Sequence, residues 1–176
     1  MPALHSGNIP EILTPRLRLR AFAQRDLDAY ADIVADEAVT RYLGDGRPLS
    51  RADAWRQMAI FNGHWTLHGF GIWAVEHRET GALVGRIGCF FPEDWPAFEI
   101  GYVLGSAFWG AGYATEGAAA ALAFARTECR PGRIISAIRP GNTGSIRVAE
   151  RLGAVLEDNV EFMGARSLVY NYGMMG

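Results

Sequence analysis

Residues 98–117 read FEIGYVLGSAFWGAGYATEG and hold the types and spacings most able to do chemistry. An alternating run from Phe98 to Leu104 leads through a short loop to Gly110-Ala111-Gly112. An alanine-rich segment, Tyr113 to Cys129, follows. Alternation predicts a strand and the alanines predict a helix. A strand, a glycine turn and a helix N-terminus together suit an anion. Glycine lets the backbone approach a ligand closely, and the first helical N–H groups have no intrahelical acceptor. A phosphate-bearing cofactor is the expected ligand. Glu99 adds a carboxylate that could take a proton. Strand parity sets it with Gly101 and Val103 on one face, opposite Ile100 and Tyr102. The alternative for Glu99 is a solvent-facing strand position.

Spacing narrows the cofactor. A dinucleotide loop needs G-x-G-x-x-G, and Thr115 stands where its third glycine belongs. A phosphate-binding loop of the G-x-x-x-x-G-K-[ST] type needs a lysine. This chain has none, all 17 of its basic residues being arginine. The same absence excludes a pyridoxal Schiff base. Cys89 and Cys129 give neither metal spacing nor a disulfide framework. His64 and His68 lie four residues apart, but nothing completes an H-E-x-x-H zinc motif, so no metal is expected.

The elements around this stretch fit one domain of 176 residues, 49% hydrophobic and 20% charged, with a formal net charge of −2. No basic stripe suits a nucleic acid, and no apolar run is long enough for a bilayer, so a soluble, cytoplasmic chain is expected. Residues 1–13 read as a loose leader before a domain spanning 14–176. Arg16 to Arg20 reads as a strand whose alternating arginines face solvent at an edge. Gln24 to Asp36 reads as a helix, and Ser50 with Asp53 caps a longer one. Phe70 to Glu76 and Leu83 to Phe90 form a hairpin. Arg133 to Arg139 is a strand and Ser145 to Leu152 a short helix stopped by Gly153. Ala154 to Glu161 and Ser167 to Tyr172 close the chain as two strands. The order β-αα-βββ-α-β-α-ββ predicts an α/β domain with a mixed sheet.

The run W-G-x-G-Y-A-T-E resembles the pyrophosphate loop of the GCN5-related N-acetyltransferase (GNAT) superfamily, Q/R-x-x-G-x-G/A, with Trp109, Gly112 and Ala114 aligned to it. The likeness extends to TPRLRLR at Thr14–Arg20, the Trp73–Val75 and Glu79–Gly85 segments, and Asn142, Ser145 and Arg151-Leu152-Gly153. It is strongest to the branch that acetylates ribosomal-protein N-termini. The resemblance implies an acyl-CoA N-acyltransferase fold and transfer of acetyl from acetyl-CoA to a primary amine, on a protein N-terminus or a small molecule. It also leaves a homodimer compatible. Backbone groups of Val103 and Leu104 would pair with pantetheine, entering where a bulge parts that strand from residues 134–138. Gly110, Ala111, Gly112, Tyr113 and Ala114 would hold the pyrophosphate, with Thr115 adding a hydroxyl. Trp109 would sit beside the cofactor or fill core.

Glu99 would be the general base, with Glu93 and Asp94 as alternatives. The tyrosine that many members use as acid falls at Ala149. Ser145 could then protonate the leaving thiolate, or it could simply cap its helix. Asn142 would contact pantetheine or serve a turn. Phe91 and Trp95, in a proline-bracketed loop, would wall the acceptor pocket. Two rival readings are a non-catalytic acyl-CoA-binding module and a nucleotide-binding oxidoreductase.

Overall fold

The computed structural model describes residues 9–162 and 164–173. Among the described residues eight strands form one mixed sheet. In chain order they are β1 (Ile12–Leu13), β2 (Leu17–Arg20), β3 (Ile72–His77), β4 (Leu83–Phe90), β5 (Phe98–Leu104), β6 (Ile134–Ile138), β7 (Val155–Phe162) and β8 (Ala165–Asn171). Their spatial order is β1-β2-β3-β4-β5-β6-β8-β7, and only β5 and β6 run parallel. The crossover between those two carries α4 (Tyr113–Phe124), continued by a wider π-type turn over Ala125–Cys129. The remaining helices are α1 (Leu27–Ala35), α2 (Glu37–Thr40), α3 (Arg51–His68) and α5 (Thr143–Arg151).

Apolar side chains cover both faces of the sheet, so β3 reads WAV with no polar alternation. Trp73, Val75, Ile87 and Ile100 pack with α4 on one side. Ile72, Ala74 and Val103 pack with α1 and α3 on the other. Alanines let α4 lie close to the sheet: a Cβ at Gly117 would come within 2.5 Å of Ile87 Cδ1. Ser50 and Asp53 do cap α3 reciprocally, and Gly69 ends it in the left-handed region at φ 73°.

Three expectations need correction. The leader expected over residues 1–13 falls outside the described residues only as far as residue 8. Beyond it, Ile12 and Leu13 pair with Leu19 and Arg18, and Trp73 Nε1 donates to Pro10 O at 2.7 Å. The helix expected from Gln24 to Asp36 begins as a tight turn over Gln24–Asp26, because Asp26 is turned back on the Ala23 N–H and on Arg20. The arginines of β2 are not a solvated row, since β1 covers that edge. Arg18 meets Glu11, whereas Arg20 is buried and forks onto Asp26 and Glu76, each at 2.8 Å. Burial alone would push the Asp26 carboxyl up, but hydrogen bonds from Arg20 and the Ala23 N–H hold it below the ordinary carboxylate range.

Candidate active site

The sheet opens where the site lies. β5 and β6 pair only at Phe98 with Ile134 and Glu99 with Ile135, and then diverge. No bulge in β5 produces this: β5 stays in unbroken register with β4 from Glu99 to Leu104. Ser136 stands at the crotch of the fork, its hydroxyl donating to Ile100 O at 2.6 Å in place of a ladder bond. Gly105 N donates to Val84 O at 3.0 Å, which fixes the phase of the β4–β5 ladder. Alternation then turns the backbone of Val103 toward β4 and that of Tyr102 and Leu104 toward the gap. Val103 was expected to offer its backbone to pantetheine. Instead its side chain lines the cavities, and Tyr102, not singled out from the sequence, is the residue that turns its backbone to the gap. Leu104 keeps its N–H toward the gap, while its carbonyl accepts from Trp109 Nε1 at 2.9 Å.

Beyond the fork a cavity of about 580 Å³ runs along β5 to the start of α4. Gly110, Gly112, Tyr113, Ala114 and Thr115 line it. The two glycines adopt φ of 77° and 83°, and Gly112 caps α4. Within α4 the first intrahelical bond is Glu116 N to Gly112 O, so the N–H groups of Tyr113, Ala114 and Thr115 precede the ladder. Thr115 Oγ1 is buried without a hydrogen-bond partner. A buried hydroxyl and free helical amides around one concavity fit a phosphate group. Arg147 and Arg151, one turn apart on α5, add positive charge to the same wall.

Arg16 braces the loop from behind. Its guanidinium donates to Ala111 O at 2.8 Å and to Glu116 at 2.7 Å, and lies 4.5 Å from the Tyr113 ring centroid. Thr14 Oγ1 and Arg16 N also donate to Glu116, at 2.6 and 2.8 Å. The peptide bonds are trans, so fixing the Ala111 carbonyl on Arg16 turns the Gly112 N–H the other way, toward the cavity. Ala111 was expected to hold the ligand; it does not line the cavity. A Cβ on Gly112 would face Arg16, 3.5 Å away. Glycine is therefore required there for its φ rather than to admit the ligand. Neither Arg16 nor Glu116 stood out in the sequence, because their partners lie about a hundred positions away.

A second cavity, of about 480 Å³, opens on the other side of the fork between β4, β5, α3 and the loop after α2. Glu99 lines it at the junction. Its carboxylate accepts from Trp95 Nε1 at 2.6 Å and from Ala137 N at 3.3 Å. Dense packing around the carboxyl pushes its pKa up, and the two donors and the Arg86 charge offset part of that rise. The solvent-facing alternative for Glu99 fails. Trp95 lines the cavity as expected, but Phe91 is exposed and does not, its backbone N–H instead meeting His64 Nε2 at 3.3 Å. Phe90, directly before it, is the aromatic that faces inward. Glu93 and Asp94 are exposed and line neither cavity. Trp109 is half exposed at the rim of the first cavity, so it fills no core.

Ser145 lies at the junction and lines both cavities. It does not cap its helix: α5 begins two residues earlier, and Asn142 is the cap, its Oδ1 accepting from Ser145 N at 3.2 Å. Asn142 thus has a turn-ending role and also lines both cavities. Tyr102 OH donates to Ser145 O at 2.8 Å, and burial keeps that phenol protonated far above neutral pH. Tyr42 lines both cavities as well. Ala149 is fully buried. His64 and His68 stack at 4.4 Å, and among the described residues no cluster of His, Cys, Asp or Glu could hold a metal ion. Among the described residues no helix is long and apolar enough to cross a membrane.

The chain is similar in sequence and fold to known proteins. Residues 16–155 match the family model described as an acetyltransferase (GNAT) domain. The chain is 32% identical over 149 residues to the uncharacterized protein YkkB of Bacillus subtilis, covering 81% of this chain and 84% of that one. An acetyltransferase from Agrobacterium tumefaciens superposes with a TM-score of 0.85 at 32% identity, over 96% of each chain. RimL, a ribosomal L7/L12 alpha-N-protein acetyltransferase solved with coenzyme A, shares the fold at 20% identity, with a TM-score of 0.74 over 93% of this chain and 96% of its own. A forked mixed sheet, a glycine turn before α4 and a family model spanning most of the sequence lead to one conclusion: the chain belongs to the GNAT acetyltransferase family and has its acyl-CoA N-acyltransferase fold.

Proposed function

We propose that this chain transfers acetyl from acetyl-CoA to a primary amine by direct attack on the thioester. The observation that carries the reading is the fork between β5 and β6, with a phosphate-suited cavity on one side and a carboxylate-bearing cavity on the other. Pantetheine in the gap would find the Tyr102 and Leu104 N–H groups along β5. The pyrophosphate would take the amides from Gly112 to Thr115 and the Thr115 hydroxyl. Arg147 and Arg151 would balance the remaining phosphate charge.

Glu99 receives the proton lost by the attacking amine, directly or through one water, and its raised pKa makes it a stronger base than an exposed carboxylate. As the C–N bond forms and the C–S bond breaks, the thiolate would take a proton relayed through the Ser145 hydroxyl, which regains one from solvent in the same step. A carboxylate with a raised pKa beside the fork supports catalysis over a non-catalytic acyl-CoA module, in which Glu99 would serve only to tie Trp95 to β6. Likeness to the ribosomal-protein branch supports a protein N-terminal amine as one acceptor class, and a small-molecule amine is the other.

Calorimetry with acetyl-CoA, followed by CoA-thiol release with a panel of amines, tests this reading. We expect micromolar-range binding and amine-dependent turnover. Full acetyl-CoA affinity in a folded Gly112→Val protein would show that the phosphate site is elsewhere, since that change both strains φ and disturbs Arg16.

A further inference from the structure

The antiparallel register sets Phe90 opposite Glu99, Gly88 opposite Gly101, and Arg86 opposite Val103. Residues directly opposite share a face of the sheet, so Glu99 and Arg86 look into one cavity, and both line it. Between them the strands carry only glycines. A Cβ at Gly101 would meet nothing nearer than Ile72 Cδ1 at 3.9 Å. The four-residue step from Glu99 to Val103 spans about 13 Å at 3.2–3.4 Å per residue, before either long side chain reaches inward. The cavity thus has the Glu99 carboxylate at the fork and the Arg86 guanidinium further along the hairpin, with Asp45, Arg47 and Arg139 also on its lining.

Arg86 differs from the buried Arg20. Arg20 forks onto two carboxylates, whereas among the described residues no carboxylate lies within ion-pair distance of Arg86. Its guanidinium carbon is 5.0 Å from the Phe61 ring centroid. It also touches the Tyr30 hydroxyl, which donates to Gln57 Oε1 at 2.6 Å and so presents its lone pairs to the arginine. Its Nε is buried with no acceptor. A half-buried guanidinium whose Nε is shut from water, held by an aromatic ring and a phenol and reached by the Glu99 charge only through space, gains from a ligand that brings an anion into contact. A carboxylate matches its fork geometry with two parallel hydrogen bonds.

We propose that the acceptor is a small amino acid or amino-acid-like zwitterion, its carboxylate on Arg86 and its amine directed to Glu99 at the fork. This inference rests on the acetyl-transfer reading above and selects within it. A protein N-terminus carries no carboxylate at a fixed short distance from its amine, so Arg86 would stay unpartnered with such an acceptor.

The test uses matched pairs: free α- and ω-amino acids against their carboxamides, and a short peptide as the protein-like acceptor. Turnover is read as CoA-thiol release by wild type, Arg86→Met and Arg86→Lys. Amidation removes the negative charge and also lowers the pKa of an α-amine, which favours the amide chemically. A preference for the acid therefore reports recognition. We expect wild type to favour the acid by about 10-fold or more in kcat/KM, consistent with one charge-assisted contact. Arg86→Met should lose that preference mainly through KM on the acid, with the carboxamide little affected, and Arg86→Lys should regain part of it. Equal use of acid and amide by wild type would overturn the proposal. So would equal losses on both in Arg86→Met, or turnover of the peptide alone. Should Arg86→Met fail to fold, the wild-type comparison decides. If acetyl-CoA binds by calorimetry but no free amino acid is acetylated, this inference fails and cofactor binding stands. If acetyl-CoA does not bind, the underlying reading fails first.

Discussion

The two cavities flanking the fork are built from different materials. On the side suited to phosphate the groups that would meet a ligand are largely main chain, the edge of β5, the left-handed glycines and the opening turn of α4, stiffened from behind by Arg16 and Glu116. On the acceptor side the walls are side chains drawn from α1, α3, β4, β5, β6 and the loop after α2. Backbone amides are the same in every sequence that keeps the turn, so the first cavity is tied to one ligand chemistry. Side chains can be exchanged without disturbing the ladder, so the second is free to specialise. The contrast predicts that substitutions on the acceptor side change the rate while sparing cofactor affinity, and that those behind the loop do the reverse.

The sharpest break in that comparison is Glu99→Gln. Turnover should fall by roughly 10²–10⁴-fold at unchanged acetyl-CoA affinity, as expected for loss of a general base. Burial raises the Glu99 carboxyl, so its contribution to stability is fully present below the unfolded-state pKa and is lost as pH rises through the folded-state value. Glutamine never ionises, so the variant should be at least as heat-stable as wild type at pH 7. The acidic limb of the rate profile should flatten with it. A variant retaining that limb at full rate would place the base elsewhere.

Arg16→Met reaches the other side without touching a ligand. Releasing the Ala111 carbonyl frees the Gly112 peptide to rotate, and acetyl-CoA affinity should weaken by about 3- to 30-fold. That range reflects one charge-assisted bond discounted for the exposure of Arg16. The saturated turnover rate should hold. A change in kcat with affinity intact would mean the loop does not hold the cofactor.

The smallest effect concerns the junction itself. Because Asn142 caps α5, Asn142→Ala should cost about 1 kcal/mol of stability. Ser145→Ala should leave melting nearly unchanged. If Ser145 protonates the thiolate, its loss should slow single turnover by less than Glu99→Gln does, since a thiol of pKa about 8.5 already leaves readily. Tyr102→Phe is the control, removing the other hydroxyl that meets Ser145. Full single-turnover rate in Ser145→Ala would remove it from the chemistry.

The same contrast explains what could be read from the sequence. The glycine turn, the alternation of β5 and the Ser50–Asp53 cap are local, so adjacent residues announce them. The Asn142 cap was misplaced onto Ser145 because both residue types suit a helix start three positions apart. Tyr102 was passed over for Val103 because ladder phase depends on the Gly105–Val84 bond, not on side-chain parity. Arg16 looked like an edge residue because nothing near it in sequence hints at Glu116. Arg86 is not legible in the sequence: its place opposite Val103 and the lack of an ion pair follow from hairpin register, which is written in no short run of residues. Phe91 and Phe90 show how fine the margin is, one position deciding between solvent and cavity.

The fork also limits where a strand-like ligand can sit. A ligand that joins β5 as an extra strand can sit only at ladder-permitted depths, with successive equivalent positions about 6–7 Å apart, two strand residues. It cannot creep forward by an ångström to suit a longer cargo. The pairing of Glu99 with Ile135 closes the gap ahead of it, and Ser136 bolts the crotch to Ile100. If a thioester arm lies in the gap as proposed, that closure sets how deep along β5 it can reach.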